Sequence, residues 1–169
     1  MQKTRVLVLM GLFIAINVIL SRFVTPIDLP YVRVSFGFIA TAFSSILLGP
    51  VLGGLSAAIA DVLGFFLKPS TGSFFPGFTV SALLAGIIYG LFLHKKPESL
   101  LRTILAVISI TLIIDLGLNT YWLSILYKKA WVVLLGQRIV KSAIMLPIQV
   151  TLIHLLWRYT GPQIRKVFR

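Results

Sequence analysis

Long apolar runs separated by short polar breaks are the feature that most limits how this chain can fold. Six such runs can be drawn: Val6–Val24, Phe36–Leu48, Val51–Leu67, Gly77–Leu93, Thr103–Leu126 and Ile139–Trp157. All but the second have about the length, roughly 17–25 residues, that an α-helix needs to cross a bilayer. The second is shorter, and we expect it to form a short helix packed inside a bundle.

The composition indicates that lipid is the natural surrounding of these runs. Hydrophobic residues make up 58% of the chain and charged residues 12%, and the mean hydropathy is +1.01. A typical soluble domain is roughly 45–50% apolar. Backbone exposed to lipid must be helical or closed into a barrel, and the alternating pattern of barrel strands is missing. We therefore predict an all-α integral membrane protein, a single domain over residues 1–169 with six transmembrane helices.

The ends of the spans give a weak indication of orientation. Lys3 and Arg5 precede the first run, but no small-residue cleavage site follows it, so we expect this run to be retained as a span. Six spans put both termini on one side. Cytoplasmic termini leave nine of the sixteen cations inside and seven outside: Arg22, Arg33, Lys68, Lys128, Lys129, Arg138 and Lys141. The positive-inside rule thus slightly favours cytoplasmic termini in a multi-pass protein of the cell membrane.

A few polar residues lie within the apolar runs, where such residues normally face the inside of a bundle. Asp61 lies in the third run. Two helical faces follow from spacing in the last two runs: Asp115, Asn119 and Trp122, and Arg138, Lys141, Met145 and Gln149. One interpretation is that Asp115 pairs with Arg138 or Lys141 and holds two helices together. The other is a polar pocket open to the outside, and the two interpretations are compatible.

Small residues recur every four positions in three of the runs. Gly53, Ala57 and Asp61 form one such series, Ala82, Gly86 and Gly90 a second, and Gly11 with Ala15 a third. These series allow close approach of helix backbones. In the third and fourth runs we expect internal packing. For Gly11 and Ala15, internal packing and an external partner remain equally open.

Several classes of function lack their sequence signals. The chain has no GxxxxGK[ST] loop for ATP, and His94 and His154 have no carboxylate neighbours at ligand spacing. No catalytic arrangement of residues is recognisable, so we expect neither an enzyme nor a metal or other cofactor. There is no cysteine, which excludes disulfides. The cations lie at membrane boundaries, where lipid headgroups account for them, so nucleic acid is not an expected partner.

Three segments resemble a known family: "VRVSFGFIATAF" from Val32, "LLGPVLGGLSAAIADVLG" from Leu47 and "SFFPGFTVSALLAGIIYGLFL" from Ser73. They look like the substrate-binding S components of energy-coupling factor (ECF) vitamin importers, and most like the folate-specific members. The resemblance covers most of the chain and is strongest from Arg33 to Leu93. The "FFPGFT" segment is its most specific part.

The resemblance implies a binding subunit without a motor of its own. S components bind a vitamin from outside with high affinity and associate with a transmembrane T component and two ATPases. Transport is proposed to occur by rotation of the S component in the membrane. The family's first helix docks on the T component through an AxxxA-type motif, and the matching positions here are Gly11 and Ala15, with Gly in place of the first Ala.

The segment Ser73–Ala82 is interpreted as part of a folate site. Pro76 and Gly77 suit the start of a helix, but the phenylalanines beside them need another reason. The flat pterin ring of folate can stack on aromatic faces, and its glutamate carboxylates need cations. We expect lid loops at about residues 25–35 and 68–76. The expected substrate-binding residues are Arg22, Tyr31, Arg33, Phe36, Phe74, Phe75, Phe78, Asn119, Trp122, Arg138 and Lys141.

Two alternatives remain open at this point. The chain could be an S component for another vitamin, such as pantothenate or riboflavin. It could also be a small structural or regulatory membrane subunit that binds no ligand.

Overall fold

Six helices build the part of the chain that the computed structural model describes, which is residues 3–24, 27–28, 33–69, 74–94 and 98–167. They are α1 (Lys3–Phe23), α2 (Gly37–Leu48), α3 (Pro50–Leu67), α4 (Pro76–Leu93), α5 (Leu100–Tyr127) and α6 (Trp131–Val167). All but α2 contain an apolar stretch long enough to cross a membrane. The predicted all-α bundle of six helices is confirmed.

Successive helices run in opposite directions, so the bundle has two ends. The distal end, as we call it, is the end opposite both termini: α1, α3 and α5 finish there, and α2, α4 and α6 begin there. A short antiparallel ladder between α1 and α2 pairs Ile27–Asp28 with Arg33–Val34 at this end. It is the sole departure from helical structure among the elements of the described ranges.

Two helices contain π-helical segments, one at the distal end of α1 and one in the middle of α5. In α1 the α-helical part Lys3–Val18 continues as a π segment over Ile19–Phe23. In α5 the α-helical parts Leu100–Ser109 and Asn119–Tyr127 flank a π segment over Ile110–Leu118. Such segments often occur at functional sites. Here they carry Arg22 and Asp115, two of the few charged residues inside the bundle.

The last helix differs most from its predicted bounds. It begins at Trp131 rather than near Ile139 and ends at Val167 rather than near Trp157. Hydropathy falls around Arg138 and Lys141, so the apolar run starts only after Arg138, whereas the helix continues through both residues with Arg138 buried in the bundle. The remaining helices begin or end within three residues of the predicted runs. Proline occupies the first turn of α3 and of α4, where its missing N–H costs no hydrogen bond.

Glycines allow α3 and α4 to pack backbone to backbone. A Cβ at Gly86 would lie 2.6 Å from the Cα of Gly54, and a Cβ at Gly54 would lie 2.8 Å from the carbonyl oxygen of Leu83. Gly90 likewise packs against the backbone of Pro50. No side chain fits at these positions, so internal packing is confirmed for Gly86 and Gly90 of the predicted series, whereas Ala57, Asp61 and Ala82 line an internal cavity.

The short helix α2 is largely inside the bundle, and every residue from Ala40 to Ile46 is buried. It contacts α1, α3, α4 and α6. Its buried side chains belong to an apolar core that includes Phe43, Leu93 and Trp157. The ring centroids of Phe43 and Trp157 are 5.6 Å apart. The half of the bundle nearer the distal end is not filled in this way, and it contains a cavity.

A candidate ligand cavity at the distal end

A cavity of about 370 Å³ lies between the helices and extends from the distal end inward to Tyr89 of α4. This volume falls within the roughly 300–1,000 Å³ typical of small-molecule sites. All six helices contribute to its walls. Among the side chains that line it are Asn17, Arg22, Phe38, Asp61, Phe65, Phe74, Phe75, Phe78, Tyr89, Asp115, Asn119, Arg138, Lys141, Met145 and Gln149.

One wall carries an ion pair that ties three helices together. Arg22 Nη2 of α1 lies 3.2 Å from Asp61 Oδ1 of α3, and Thr79 Oγ1 of α4 donates a hydrogen bond to Asp61 Oδ2 at 2.9 Å. Gly64 leaves room for the arginine, since a Cβ there would lie 2.9 Å from Arg22 Nε. Both carboxylate oxygens of Asp61 are therefore already engaged by the protein.

Helices α5 and α6 contribute a second, looser charge pair to the wall. Arg138 Nη2 of α6 lies 3.8 Å from Asp115 Oδ1 of α5, too far for a hydrogen bond. Asn119 Nδ2 donates to the same Asp115 oxygen at 3.3 Å. Among the described residues, Arg138 Nε and Asn119 Oδ1 are buried without a hydrogen-bond partner. This wall thus keeps polar groups that a ligand could satisfy.

Lys141 follows Arg138 by three residues on α6 and also lines the cavity. Within the part of the chain that the structure describes, it has neither an ion pair nor a hydrogen bond. Lys141 is partly exposed, and a cation that lines a cavity without a partner among the described residues can attract an anionic ligand.

Aromatic side chains from α3 and from the start of α4 line the mouth of the cavity. The rings of Phe65 and Phe74 have centroids 5.2 Å apart, and those of Phe75 and Phe78 lie 6.0 Å apart. Flat apolar faces of this kind can hold an aromatic ligand by stacking.

Gly77 allows the rings of Phe75 and Trp122 to meet at this helix start. A Cβ at Gly77 would lie 2.6 Å from each of these rings, whose centroids are 5.6 Å apart. Trp122 Nε1 in turn donates to Ser81 Oγ at 3.2 Å. These contacts fix α5 against α4 next to the cavity.

The structure places the predicted site residues in three groups. Those that line the cavity are Arg22, Phe74, Phe75, Phe78, Asn119, Arg138 and Lys141. Two lie close behind its walls: Trp122 packs against Phe75, and Phe36 packs at 6.3 Å against Phe38, which lines the cavity in its place. Tyr31 lies outside the described residues. The backbone of Arg33 belongs to the short ladder. Within the expected lid loops, 25–35 and 68–76, residues 25–26, 29–32 and 70–73 also lie outside the described residues.

Several lining residues were absent from the predicted site. In the sequence, Asp61 stands out as a carboxylate inside an apolar run. Arg22, near the end of another run, was the feature that could have indicated its ion-pair partner. Gln149 and Met145 share a helical face with Arg138, which was a similar signal. Tyr89, Phe38 and Phe65 gave no signal, because an aromatic residue in an apolar run looks the same whether it faces lipid, core or cavity.

Gly11 and Ala15 lie on the exposed surface of α1, away from the cavity. A Cβ at Gly11 would have no heavy atom within 4 Å, in contrast to the glycines of α3 and α4. Neighbouring apolar residues are also exposed, Leu7 by 68% and Leu12 by 53%. This face of α1 therefore packs against no described part of the chain. That it meets a T component stays a prediction.

Comparison with known proteins gives a consistent result. A family model described as "ECF transporter, substrate-specific component" matches residues 5–157. A protein named "Folate transporter FolT" from Clostridium novyi (strain NT) is 42% identical over 158 residues, which cover 94% of this chain and 91% of that protein. Another "Folate transporter FolT", from Leuconostoc mesenteroides subsp. mesenteroides, is 35% identical over 160 residues, with 90% and 84% covered.

The fold is also that of a solved structure. The structure described as "Crystal structure of FolT bound with folic acid" superimposes with a TM-score of 0.85 at 37% sequence identity. The match covers 90% of this chain and 94% of the other. The sequence matches and the structural match therefore agree on both the family and the architecture.

Proposed function

The chain belongs to the family of substrate-specific components of ECF transporters, and from this premise we propose that it is the folate-binding subunit of an ATP-driven vitamin importer. It takes up folate with high affinity in the cavity at the distal end. The subunit itself catalyses no reaction. Similar proteins named as folate transporters and a similar structure with folic acid bound support the choice of substrate.

The observation that carries the proposal is one cavity that combines aromatic faces with a cation that has no partner among the described residues. Phe74, Phe75 and Phe78 lie at its mouth and Lys141 lies in its wall. Folate has a flat heteroaromatic pterin ring and a glutamate tail with two carboxylates. Stacking suits the ring, and charge-assisted hydrogen bonds suit the tail.

The three cations of the cavity are expected to contribute unequally to binding the tail. Lys141 has no partner in the described part of the chain, and Arg138 keeps an unpaired Nε. Both can therefore turn to a carboxylate of the ligand at little cost. Arg22 is already bound to Asp61, so its main contribution is to hold the wall.

The remaining predicted residues complete the site in this proposal. Loops at about 25–35 and 68–76, with Tyr31 and Arg33 in the first, close over the bound vitamin. Phe36 and Trp122 support the lining rings Phe38 and Phe75, and Asn119 offers its free carbonyl oxygen.

Energy for transport comes from partner subunits. We assign these as a T component and two ATPases, because the chain has no phosphate-binding loop and its family is the substrate-specific part of such transporters. The exposed face around Gly11 and Ala15 is the proposed T-component contact. The protein lies in the cell membrane with the distal end outside and both termini in the cytoplasm.

A titration with a panel of vitamins tests the proposed substrate. Folate should quench the fluorescence of the detergent-solubilised protein saturably and tightly, because Trp122 contacts the lining ring of Phe75. If a Trp122→Phe variant loses the quenching, the signal comes from Trp122 rather than from Trp131 or Trp157. Saturable binding of riboflavin or pantothenate without folate binding would support another S component. Binding of no vitamin would support a structural subunit.

A further inference from the structure

The backbone of α5 changes its hydrogen-bond register in the middle of the helix. The π segment Ile110–Leu118 ends where α-helical bonding resumes at Asn119, and the Asn119 N–H still donates to the carbonyl oxygen of Ile114, five residues back. Where five-residue bonding gives way to four-residue bonding, the backbone N–H groups skip one carbonyl. The next carbonyl along the chain is that of Asp115. A buried carbonyl in this place needs a donor from a side chain.

Thr120 supplies this donor. Its Oγ1 donates to the carbonyl oxygen of Asp115 at 3.1 Å, five residues back. Thr120 is 0% exposed, so water does not compete for the bond. Thr103, an equally buried threonine of the same helix, donates to the carbonyl oxygen of Ser99, four residues back, as threonine does in a regular α-helix. The five-residue reach of Thr120 therefore belongs to the π segment.

Gly117 also suits the wide turn. A Cβ at this position would lie 3.3 Å from the carbonyl oxygen of Leu112, which is again five residues back. A side chain here would press on the carbonyl that the π register places beside it. Glycine leaves this carbonyl its room, so Gly117 and Thr120 both favour the π register.

The register decides which residues of α5 face the cavity. Ile110 and Asp115 both line it. In a regular α-helix of ~3.6 residues per turn, two positions five residues apart point about 140° away from each other. The wider π turns reduce this angle and bring Asp115 to the side of Ile110. From there Asp115 Oδ1 lies 3.8 Å from Arg138 Nη2 and accepts a hydrogen bond from Asn119 Nδ2 at 3.3 Å.

We propose that Thr120 is a positioning residue of the folate site: through its bond to the Asp115 carbonyl it maintains the π register that directs the Asp115 carboxylate into the cavity. Where folate is concerned, this inference rests on the proposed function. Thr120 itself does not line the cavity. It acts through Asp115, which orients Arg138 and Asn119 in the cavity wall. Without the hydroxyl, α5 restores a backbone donor to the orphaned carbonyl by giving up the π register, and Asp115 turns away.

The first experiment measures folate affinity in matched variants. Thr120→Val keeps the shape of the side chain and should lose about tenfold affinity, because Arg138 and Asn119 lose the carboxylate that orients them. Thr120→Ser keeps the hydroxyl and should bind like wild type, whereas Gly117→Ala should weaken binding. Thr103→Val is the control, since it removes an equally buried hydroxyl of α5 that lies away from the cavity. Wild-type affinity in Thr120→Val, or an equal loss in Thr120→Ser or Thr103→Val, would overturn the inference.

A double-mutant cycle with Asp115→Asn separates positioning from packing and needs no ligand. Asp115→Asn should lower the melting temperature of the wild-type chain, because Arg138 loses its carboxylate. It should lower it much less in Thr120→Val, where Asp115 has already turned away. Additive changes would overturn the inference, because Thr120 would then stabilise α5 without acting through Asp115. If the wild-type protein binds no folate, the proposed function fails, while non-additive melting temperatures would still show that Thr120 positions Asp115.

Discussion

Three cations face the same cavity and differ in how far the protein already neutralises their charge: Arg22, Arg138 and Lys141. Arg22 lies 3.2 Å from a carboxylate that a threonine also binds, whereas Arg138 lies 3.8 Å from its carboxylate. Lys141 has no partner in the described ranges. Sequence position alone could not rank them, because all three simply border or interrupt apolar runs. The ranking depends on which helices lie next to each other.

Replacing Lys141 with alanine should weaken folate binding about tenfold to a hundredfold and leave pteroate binding nearly unchanged. The reason is that a charge-assisted contact to the glutamate tail contributes roughly 1.5–3 kcal/mol. Calorimetry with both ligands measures the two affinities. Lys128→Ala is the matched control, because Lys128 is exposed at the same end of the bundle, lies outside the expected lid loops and does not line the cavity. An equal loss for both ligands would assign Lys141 to folding or to the ring.

Replacing Arg22 with alanine should mainly destabilise the folded protein. It leaves Asp61 without its cation, and breaking a buried pair from one side costs about 3–5 kcal/mol. The melting temperature should fall in the presence and absence of folate, and Asp61→Asn in the same chain should restore part of the loss. Unchanged stability together with lost folate binding would show instead that Arg22 contacts the substrate.

At the scale of single elements, hydropathy predicted the helices because lipid-exposed backbone must satisfy its own hydrogen bonds. It could not predict the start of α6, where buried Arg138 lowers hydropathy inside a continuing helix. Nor could it predict the π segment Ile110–Leu118. The wider π turn changes which residues share a face, so Asn119 lines the cavity while Trp122 turns to Ser81 of α4.

The start of α4 is the element in which aromatic residues are expected to retain the ligand. Phe75 lines the cavity and packs against both Phe78 and Trp122. Phe75→Ala should speed the release of folate more than it slows capture, because affinity changes within one site appear mostly in the dissociation rate. Stopped-flow displacement measures both rates. Tyr159→Ala, at an aromatic residue that is 74% exposed and does not line the cavity, should leave the rates unchanged. Unchanged release from Phe75→Ala would assign this ring to packing alone.

At the scale of the whole molecule, the bundle has a closely packed half, a half with a cavity and an exposed α1. Sequence resemblance could indicate the family, and small-residue spacing could indicate close packing between α3 and α4. The same spacing in α1 could not predict that Gly11 and Ala15 face away from the bundle. That distinction depends on the position of α1 at the edge of the bundle, which no local pattern contains.

A bulky residue on the outer face of α1 should separate binding from transport. Ala15→Trp should bind folate normally and abolish uptake, because a close helix–helix contact has no room for an indole. Folate binding by the purified variant and uptake by cells that express it are measured together. Leu91→Trp, at an apolar residue of α4 that is 66% exposed, is the matched control and should transport normally. Normal uptake by a well-expressed Ala15→Trp variant would remove this face from the proposed contact.

The central claim is that this chain binds folate by itself and moves it only with partner subunits. The most direct measurement is the uptake of labelled folate by vesicles that contain the chain alone, or the chain with a T component and its two ATPases. We predict one folate bound per chain in both preparations, and ATP-dependent accumulation only in the second. Accumulation by the chain alone, or accumulation of another vitamin in preference to folate, would contradict the account.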